Sequence, residues 1–429
     1  RLDLTGLGFD NIPARVKMKT RVECELAEGS VTMKLQAWRW LAALVLCLGP
    51  LALLGQIPAA AQGSDGWTFL TLDGQEIRIF RDAYGVPHIF ALTNRALFYG
   101  YGYAIAQDRL WQLDLYRRTA RGTLAEILGF YALPSDLHER LHGYTETEYQ
   151  DAFARLPAET QEILTSYRDG INAYMSLALA DPAHKLPWEF HQFSYLPALW
   201  QVADTLAIGR FMANRFGESG GQELQNQALL QSLISAHGTV TGTAMFNDLH
   251  WRNDPDAPVS VPTGSSTARA YDPPALFLPD IERIAAEVAA QREGAARVWA
   301  QYGIPVKLGS YAWAVGPSRS ANGHALLFGG PRMGFDTPDP IHEIQLSGGQ
   351  GFDAIGMSIA GIPLVLIGHN RFVAWSMTSG FGDNADIYVE LLNPLNADQY
   401  WHLGDWRDMV IRTETINVRG QPARTVTFR

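Results

Sequence analysis

The fold of this chain is decided by the stretch Leu308-Gly309-Ser310-Tyr311-Ala312-Trp313-Ala314-Val315-Gly316, which sets a serine directly behind a glycine at the start of a strand-like pattern. The pattern continues to Asn322-Gly323, a dipeptide typical of a two-residue hairpin turn, and returns through the mainly apolar residues 324–328. The sequence therefore predicts an antiparallel hairpin that begins at Ser310. Because glycine-serine pairs are common in turns, an ordinary turn is the alternative.

A break in the peptide bond between Gly309 and Ser310 would make this serine a self-contained nucleophile. Its free α-amino group would accept the proton of its own hydroxyl and replace the histidine base of other serine hydrolases. An α-amino group has a pKa of about 8, and a modest reduction by burial keeps it neutral and basic at working pH. The pair therefore predicts self-cleavage followed by attack of the Ser310 hydroxyl on an amide carbonyl.

Further blocks occur in a fixed order along the chain, at residues 81–89, 98–110, 212–216 and 368–386. Together with the segment that begins at Ser310, they resemble the penicillin acylases, which are members of the N-terminal nucleophile hydrolase superfamily. The similarity covers about residues 67–405 and is closest to the penicillin G type. It implies an α+β fold, in which a four-layer αββα sandwich is combined with a largely helical N-terminal chain.

The resemblance also implies a precursor with three parts. Residues 62–272 form the helical α-chain with acyl-pocket residues, residues 273–309 form an excised spacer, and residues 310–429 begin a truncated catalytic β-chain. Residues 253–280 are rich in proline, as in a linker, and residues 281–299 have the spacing of an amphipathic helix. An ordinary surface loop and helix is the alternative. The two chains would remain together as a heterodimer.

The first 61 residues have the features of an upstream extension and a secretory signal. Residues 1–32 lack an apolar pattern, so we expect a non-native or upstream extension there. Residues 33–61 combine Lys34 and Arg39, the apolar run 41–54 and the alanines 59–61, which predicts a signal peptide and a periplasmic or secreted protein. A membrane anchor is the alternative. Cys24 and Cys47 both precede the predicted cut, so the exported part has no cysteine.

Composition excludes several function classes. With 47% hydrophobic and 18% charged residues the chain can bury a large core, and its formal net charge of −10 argues against nucleic acid and against anionic lipid. Residues 356–361 miss the nucleophile-elbow spacing by one residue, and His342-Glu343 lacks the second histidine of a zinc protease. We interpret His88 and His369 as structural. No organic cofactor is expected.

The resemblance assigns roles around the nucleophile. The backbone N–H of Ser379 would stabilise the oxyanion, with an asparagine beyond the present sequence as the second donor. Calcium would be held by Glu223 together with Asp383, Asp386 and the carbonyl of Ala385, and it would join the two chains. Two acidic residues in a loop are often only a solvated turn, which is the alternative.

Seven positions match the family's acyl pocket and entrance. On the α-chain they are Met212, Arg215 and Phe216; on the catalytic chain they are Arg332, Met333, Ile367 and Met377. Core packing is the alternative for Met212 and Phe216. Met333 and Ile367 stand where the penicillin G type has phenylalanines, Met377 replaces a serine and Arg332 a glutamine, which predicts greater tolerance of aliphatic acyl chains.

The predicted activity is hydrolysis of the side-chain amide of penicillin-like N-acyl compounds, small molecules from which a carboxylic acid and a free amine are released. An acyl-homoserine-lactone acylase with the same mechanism is one alternative. A homologue that binds aromatic acids without turning them over is another. An assay for release of the carboxylic acid distinguishes the non-catalytic homologue from the two enzymes.

Overall fold

The computed structural model describes residues 66–217, 220–249, 280–304, 309–334, 337–378 and 384–429. The predictions for residues 1–32 and 33–61 lie outside the described residues, as do Ser379, Asp383 and the linker up to residue 279. None of the helices in the described ranges combines the length and the apolar character needed to cross a bilayer.

A seven-stranded sheet forms the centre of the described structure. Its strands follow the order β1, β2, β3, β6, β7, β8, β9. The bounds are β1 Trp67–Leu72, β2 Gln75–Arg81, β3 Pro87–Ala91, β6 Ile341–Gly348, β7 Asp353–Ile359, β8 Ile367–His369 and β9 Ala374–Trp375. Ile77 and Ile79 of β2 and Ile89 of β3 are fully or almost fully buried on one face. Burial of each such side chain contributes about 2 kcal/mol.

The pairing of β3 with β6 is parallel, whereas every other pairing in this sheet is antiparallel. His88 lies opposite Gln345, and Ala91 lies opposite Gly348. The strands β1 to β3 precede the Gly309–Ser310 bond in the chain, and β6 to β9 follow it. The sheet therefore contains strands from both sides of the predicted cut.

Helices form most of the described residues between β3 and Ser310. The long ones are α1 Asn94–Ala120, α5 Ala158–Ala180, α8 Val202–Gly217, α9 Glu223–His237 and α11 Ile281–Gln301. The shorter ones are α2 Ala125–Leu128, α3 Leu133–His142, α4 Glu146–Ala154, α6 Pro182–Lys185, α7 Trp188–Gln192 and α10 Thr239–Leu249. Strands and helices in these numbers confirm a mixed α+β fold. The helix predicted over residues 281–299 is confirmed as α11.

Helix α1 packs between the sheet and α5. A Cβ on Gly102 would lie 2.1 Å from the carbonyl oxygen of Tyr167, and a Cβ on Gly170 would lie 1.9 Å from that of Tyr99. Both glycines are therefore required for the close approach of the two helices. Helix α1 ends before Gly122, which has a φ of 61°.

The hairpin that begins at Ser310 is confirmed, but its turn differs from the prediction. Strand β4 (Gly309–Val315) pairs with β5 (Leu326–Arg332), and Val315 lies opposite Leu326. The connection therefore spans residues 316–325, and Asn322-Gly323 lies within it instead of forming a two-residue turn. A 3₁₀ turn at Pro317–Arg319 lengthens the connection, and Asn322 Oδ1 accepts a hydrogen bond from the amide of His324 at 3.1 Å.

Two small sheets complete the described structure. Strands β10 Leu392–Asn393, β11 Asn396–His402 and β12 Asp405–Asp408 form one, and β13 Arg412–Ile416 and β14 Arg424–Phe428 form the other. Arg140 of α3 makes an ion pair with Glu414 of β13 at 3.0 Å, so the second sheet is attached to the helices.

The buried carboxylate of Asp136 makes stability depend on pH. It accepts hydrogen bonds from the amides of Leu124 and Ala125, both at 2.8 Å, yet burial raises its pKa to about 7. The folded chain therefore binds a proton on Asp136 more tightly than the unfolded chain does. Protonated Asp136 adds to the free energy of unfolding in full below about pH 4, and this contribution is lost as the pH rises to about 7.

We expect the free energy of unfolding to fall with pH more steeply in the parent chain than in Asp136→Asn. Each proton released on unfolding contributes a slope of about 1.4 kcal/mol per pH unit. Urea unfolding of the uncut Ser310→Ala chain at pH 5, 6, 7 and 8 measures both slopes. The exposed Asp151→Asn is the control. Equal slopes in the parent and Asp136→Asn would contradict the prediction.

Candidate active site

Ser310 occupies the second position of β4, opposite Pro331 of β5. The strand is continuous through Gly309, so the nitrogen of Ser310 is a peptide amide here and has no basic lone pair. The hydroxyl of Ser310 donates a hydrogen bond to the carbonyl oxygen of Gly309 at 2.7 Å. It therefore lies against the carbonyl group that self-cleavage would attack.

Gly309 has a backbone conformation that other residues rarely adopt. Its φ is 137°, and no atom of the described residues lies within 4 Å of the place where a Cβ would stand. A side chain would thus have room but would strain the backbone. The glycine is required by conformation and not by crowding.

Thr378 connects the segment of the predicted oxyanion donor to the nucleophile. Its hydroxyl donates to the carbonyl oxygen of Ser310 at 3.4 Å, across 68 positions of sequence. Thr378 directly precedes Ser379, which lies outside the described residues. The contact brings the segment that leads to Ser379 alongside Ser310. Sequence analysis missed Thr378, because only its neighbour had a recognisable role.

The two faces of the hairpin differ in chemistry. Side chains directly opposite one another in a β-pair share a face, so Arg332, opposite Gly309, lies on the face of Tyr311 and away from Ser310. The guanidinium of Arg332 lies 4.7 Å from the centre of the Tyr311 ring. Tyr311, Trp313 and Phe328 stack along the same face.

The face of Ser310 lies against β8 and the segment after β9. A Cβ on Gly329 would be 2.2 Å from the hydroxyl of Ser376 and 3.7 Å from Cγ2 of Ile367. Gly329 shares this face with Ala312 and Ser310. Among the predicted pocket residues, Ile367 thus lies on the nucleophile's face, whereas the side chain of Arg332 lies on the other.

The remaining predicted pocket residues are distributed between the core and the surface. Met212 is only 4% exposed and belongs to the main hydrophobic core, against which Phe216 and Met333 pack. Met377 is half exposed. Arg215 lies with its guanidinium 4.4 Å from the centre of the Trp299 ring. Core packing therefore accounts for the burial of Met212 in the uncut chain, and a closed acyl pocket is not assembled from the described residues.

The predicted calcium ligands come from two segments that lie side by side. Ala385 forms a parallel β-bridge with Gly220, and the side-chain amide of Asn384 donates to the carbonyl oxygen of Gly217 at 3.0 Å. Glu223 begins α9 three residues after this bridge. Its Oε2 atom is buried and has no hydrogen-bond partner among the described residues. Asp386 is exposed and accepts from the hydroxyl of Tyr388 at 3.3 Å.

The histidines outside this region have structural contacts. His342 is buried beside Tyr101, with 2.9 Å between its Nε2 and the tyrosine hydroxyl, and burial lowers its pKa to about 3. His88 contacts Gln345 and Asp82, so it fastens β3 to β6. His369 is exposed. His342 is therefore a neutral side chain enclosed by the core.

Comparisons with known proteins identify relatives of the chain. A family described as penicillin amidase matches residues 76–429. A penicillin G acylase from Escherichia coli is 35% identical over 82% of this chain and 44% of that protein. An acyl-homoserine lactone acylase from Pseudomonas aeruginosa is 30% identical over 82% of this chain and 39% of that protein. The chain thus spans less than half the length of these curated relatives.

A solved structure gives a further comparison. It is a thermostable penicillin G acylase from Alcaligenes faecalis, 37% identical, with a TM-score of 0.40, and the match covers 44% of this chain and 99% of that chain. The family match extends over most of the present sequence and includes Ser310, Thr378 and the segment 384–386. The chain belongs to the penicillin amidase family, whose fold class is that of the N-terminal nucleophile hydrolases.

Proposed function

We propose that this chain belongs to a self-processing amidohydrolase whose nucleophile is Ser310. The observation that carries the proposal is the position of the Ser310 hydroxyl against the carbonyl of Gly309, in a chain of the penicillin amidase family. Since the chain covers 44% or less of the relatives described above, the activity belongs to the longer protein.

Self-cleavage begins with attack of Oγ of Ser310 on the carbonyl carbon of Gly309. The C–N bond between the two residues breaks, the amine of Ser310 takes up the hydroxyl proton, and an ester joins Gly309 to Oγ. Water then hydrolyses this ester, which leaves a carboxylate on Gly309 and a free amine and hydroxyl on Ser310. In the uncut chain the hydroxyl of Thr378 donates to the carbonyl oxygen of Ser310.

Amide hydrolysis uses the same atoms in a second role. The free amine accepts the proton of Oγ as the oxygen attacks the substrate carbonyl, and the backbone N–H of Ser379 stabilises the oxyanion. The proton passes to the leaving amine, and an acyl-enzyme remains on Ser310. Water attacks this ester with the amine again as base, and a carboxylic acid is released.

The substrate class we propose is the N-acyl amides of penicillin type, and the second candidate is an acyl-homoserine lactone. Met333, Ile367 and Met377 favour the second, since they offer flexible aliphatic surface where the penicillin G type has rings or a small residue. The N-terminal chain and the catalytic chain remain associated, and the features of residues 33–61 support export.

The proposed function is tested with the protein expressed from its complete gene. Acid release from phenylacetyl amides is compared with release from octanoyl- and dodecanoyl-homoserine lactone, and intact mass with N-terminal sequencing identifies the chains. A catalytic chain that begins at Ser310 and releases phenylacetate faster supports the first candidate, and faster release of fatty acid supports the second. A correctly cut protein that releases neither acid supports the non-catalytic alternative.

We further propose that Glu223, Asp383, Asp386 and the carbonyl of Ala385 hold a calcium ion that joins the two chains. Oxygen ligands of this kind suit calcium. The Oε2 atom of Glu223 is buried beside the Gly220–Ala385 bridge and has no hydrogen-bond partner within the described ranges. It fits a cation there, because a lone buried carboxylate oxygen is costly. When bound, the ion supplies positive charge and no chemistry to the reaction.

We expect millimolar calcium to raise the melting temperature of the processed enzyme and a chelator to lower it. A ligand at 100 times its Kd stabilises the folded state by about 2.7 kcal/mol. Glu223→Gln should weaken calcium binding by at least about tenfold, because it removes one carboxylate charge. The exposed Glu343→Gln is the charge-matched control. If neither calcium nor chelator changes the melting temperature of the wild-type enzyme, the proposed calcium site is ruled out.

A further inference from the structure

The side chain of Trp299 is inserted between two helices of the α-chain. Trp299 belongs to α11, within the predicted spacer 273–309, and is only 3% exposed. Its ring N–H donates to the hydroxyl of Ser135 on α3 at 2.9 Å. The indole is thus both enclosed and satisfied by a specific hydrogen bond.

Aromatic and cationic groups complete the walls around this ring. His138 of α3 and Phe211 of α8 both meet it edge to face, with ring centres 5.4 Å and 5.5 Å away. The guanidinium of Arg215, also on α8, covers the ring at 4.4 Å. Edge-to-face and cation–π contacts of this kind select for an electron-rich aromatic ring. We refer to the four wall residues Ser135, His138, Phe211 and Arg215 as the Trp299 slot.

The walls are also positioned by contacts outside the spacer. All four wall residues belong to α3 and α8, which lie in the predicted α-chain. Arg210 of α8 is paired with Glu139 of α3, and its Nε donates to the hydroxyl of Tyr149 at 3.3 Å. Asp136 fixes the start of α3 to the amides of Leu124 and Ala125. Contacts between retained elements therefore hold the slot open.

We propose that the Trp299 slot becomes an aryl-binding subsite when the spacer leaves, and that it takes neutral aromatic molecules with one ring N–H or O–H donor, such as indoles and phenols. The inference rests on the proposed function, because processing is what removes Trp299. Loss of α11 with the spacer uncovers the slot. The contacts that α3 and α8 make with each other and with Tyr149 remain, so the slot keeps a shape that fits an aromatic ring.

The experiment measures binding of indole and of 1-methylindole by calorimetry to three proteins. These are the processed enzyme, its Ser135→Ala variant, and the uncut Ser310→Ala chain that retains Trp299. We expect indole to bind the processed enzyme and not the uncut chain. We expect 1-methylindole, which lacks the donor, to bind about tenfold more weakly. Ser135→Ala should remove most of this difference.

A second variant separates failure of the slot from failure of processing. Ser310→Ala combined with Trp299→Ala keeps the spacer but removes the indole, and it should bind added indole as the processed enzyme does. If mass spectrometry shows that the spacer has gone and indole still does not bind, the inference is overturned. A spacer that stays in the mature protein contradicts the processing; binding to the double variant then supports the slot, and lack of binding overturns it.

Discussion

Replacing Ser310 by alanine is expected to leave a single uncut chain and to reduce amide hydrolysis by a factor on the order of 10⁴ to 10⁶. The substitution removes the hydroxyl that lies 2.7 Å from the carbonyl oxygen of Gly309. The ester between Gly309 and residue 310, which is the intermediate of self-cleavage, therefore cannot form. Without cleavage the amine is never freed, and the base is lost together with the nucleophile. Two defects therefore follow from one missing oxygen.

Intact mass, N-terminal sequencing and acid release measure these effects on the full-length protein. Ser310→Cys supplies a different nucleophile at the same place and is expected to restore cutting, with slower turnover of amides. Ser318→Ala, in the exposed connection between β4 and β5, is the control and should be cut and active as the parent is. Cleavage before residue 310 in the alanine variant would assign the nucleophile elsewhere.

Replacing Gly170 by alanine is expected to destabilise the fold by roughly 3 kcal/mol or more, because the added methyl group overpacks a helix contact. Its Cβ would stand 1.9 Å from the carbonyl oxygen of Tyr99, a backbone atom that cannot turn aside. Helices α1 and α5 would have to separate, and α1 also packs on Ile77 and Ile89 of the sheet through Gly100. The added methyl group would therefore disturb the packing of α1 on the sheet as well as its contact with α5.

Gly209 provides the matched control, since it lies within helix α8 and no atom of the described residues lies within 4 Å of an added Cβ. Gly209→Ala should be neutral or should stabilise the helix by up to about 1 kcal/mol. Urea unfolding of both variants in the uncut Ser310→Ala chain measures the difference. Equal effects at the two glycines would show that α1 and α5 are not in close contact.

The sequence predicts local structure in this chain better than it predicts connections. Hydrophobic spacing identified α11 and the two strands of the hairpin, because each is set by neighbours a few residues away. The connection of ten residues between β4 and β5 was missed, since Pro317 forms a turn of its own before Asn322-Gly323 is reached. The parallel pairing of β3 with β6 joins residues about 257 positions apart, so it cannot be predicted from the local pattern of either strand.

The candidate site divides in the same way. The serine behind a glycine could be found from the sequence, and so could the acidic turn near Asp386. The face on which Arg332 lies could not, because it depends on the register between β4 and β5. The contact of Thr378 with Ser310 and the insertion of Trp299 between α3 and α8 both arise from chain segments that meet only in the folded protein.

The parallel pair of β3 and β6 has a consequence for how the mature protein could be reassembled. Before cleavage, the pairing of His88 with Gln345 closes a loop within one molecule, so refolding is a first-order process. After the proposed cleavage and loss of the spacer, the same backbone hydrogen bonds would join two separate polypeptides. Recovery from denaturant should then slow in proportion to dilution, whereas the uncut chain should refold at a rate that does not depend on its concentration.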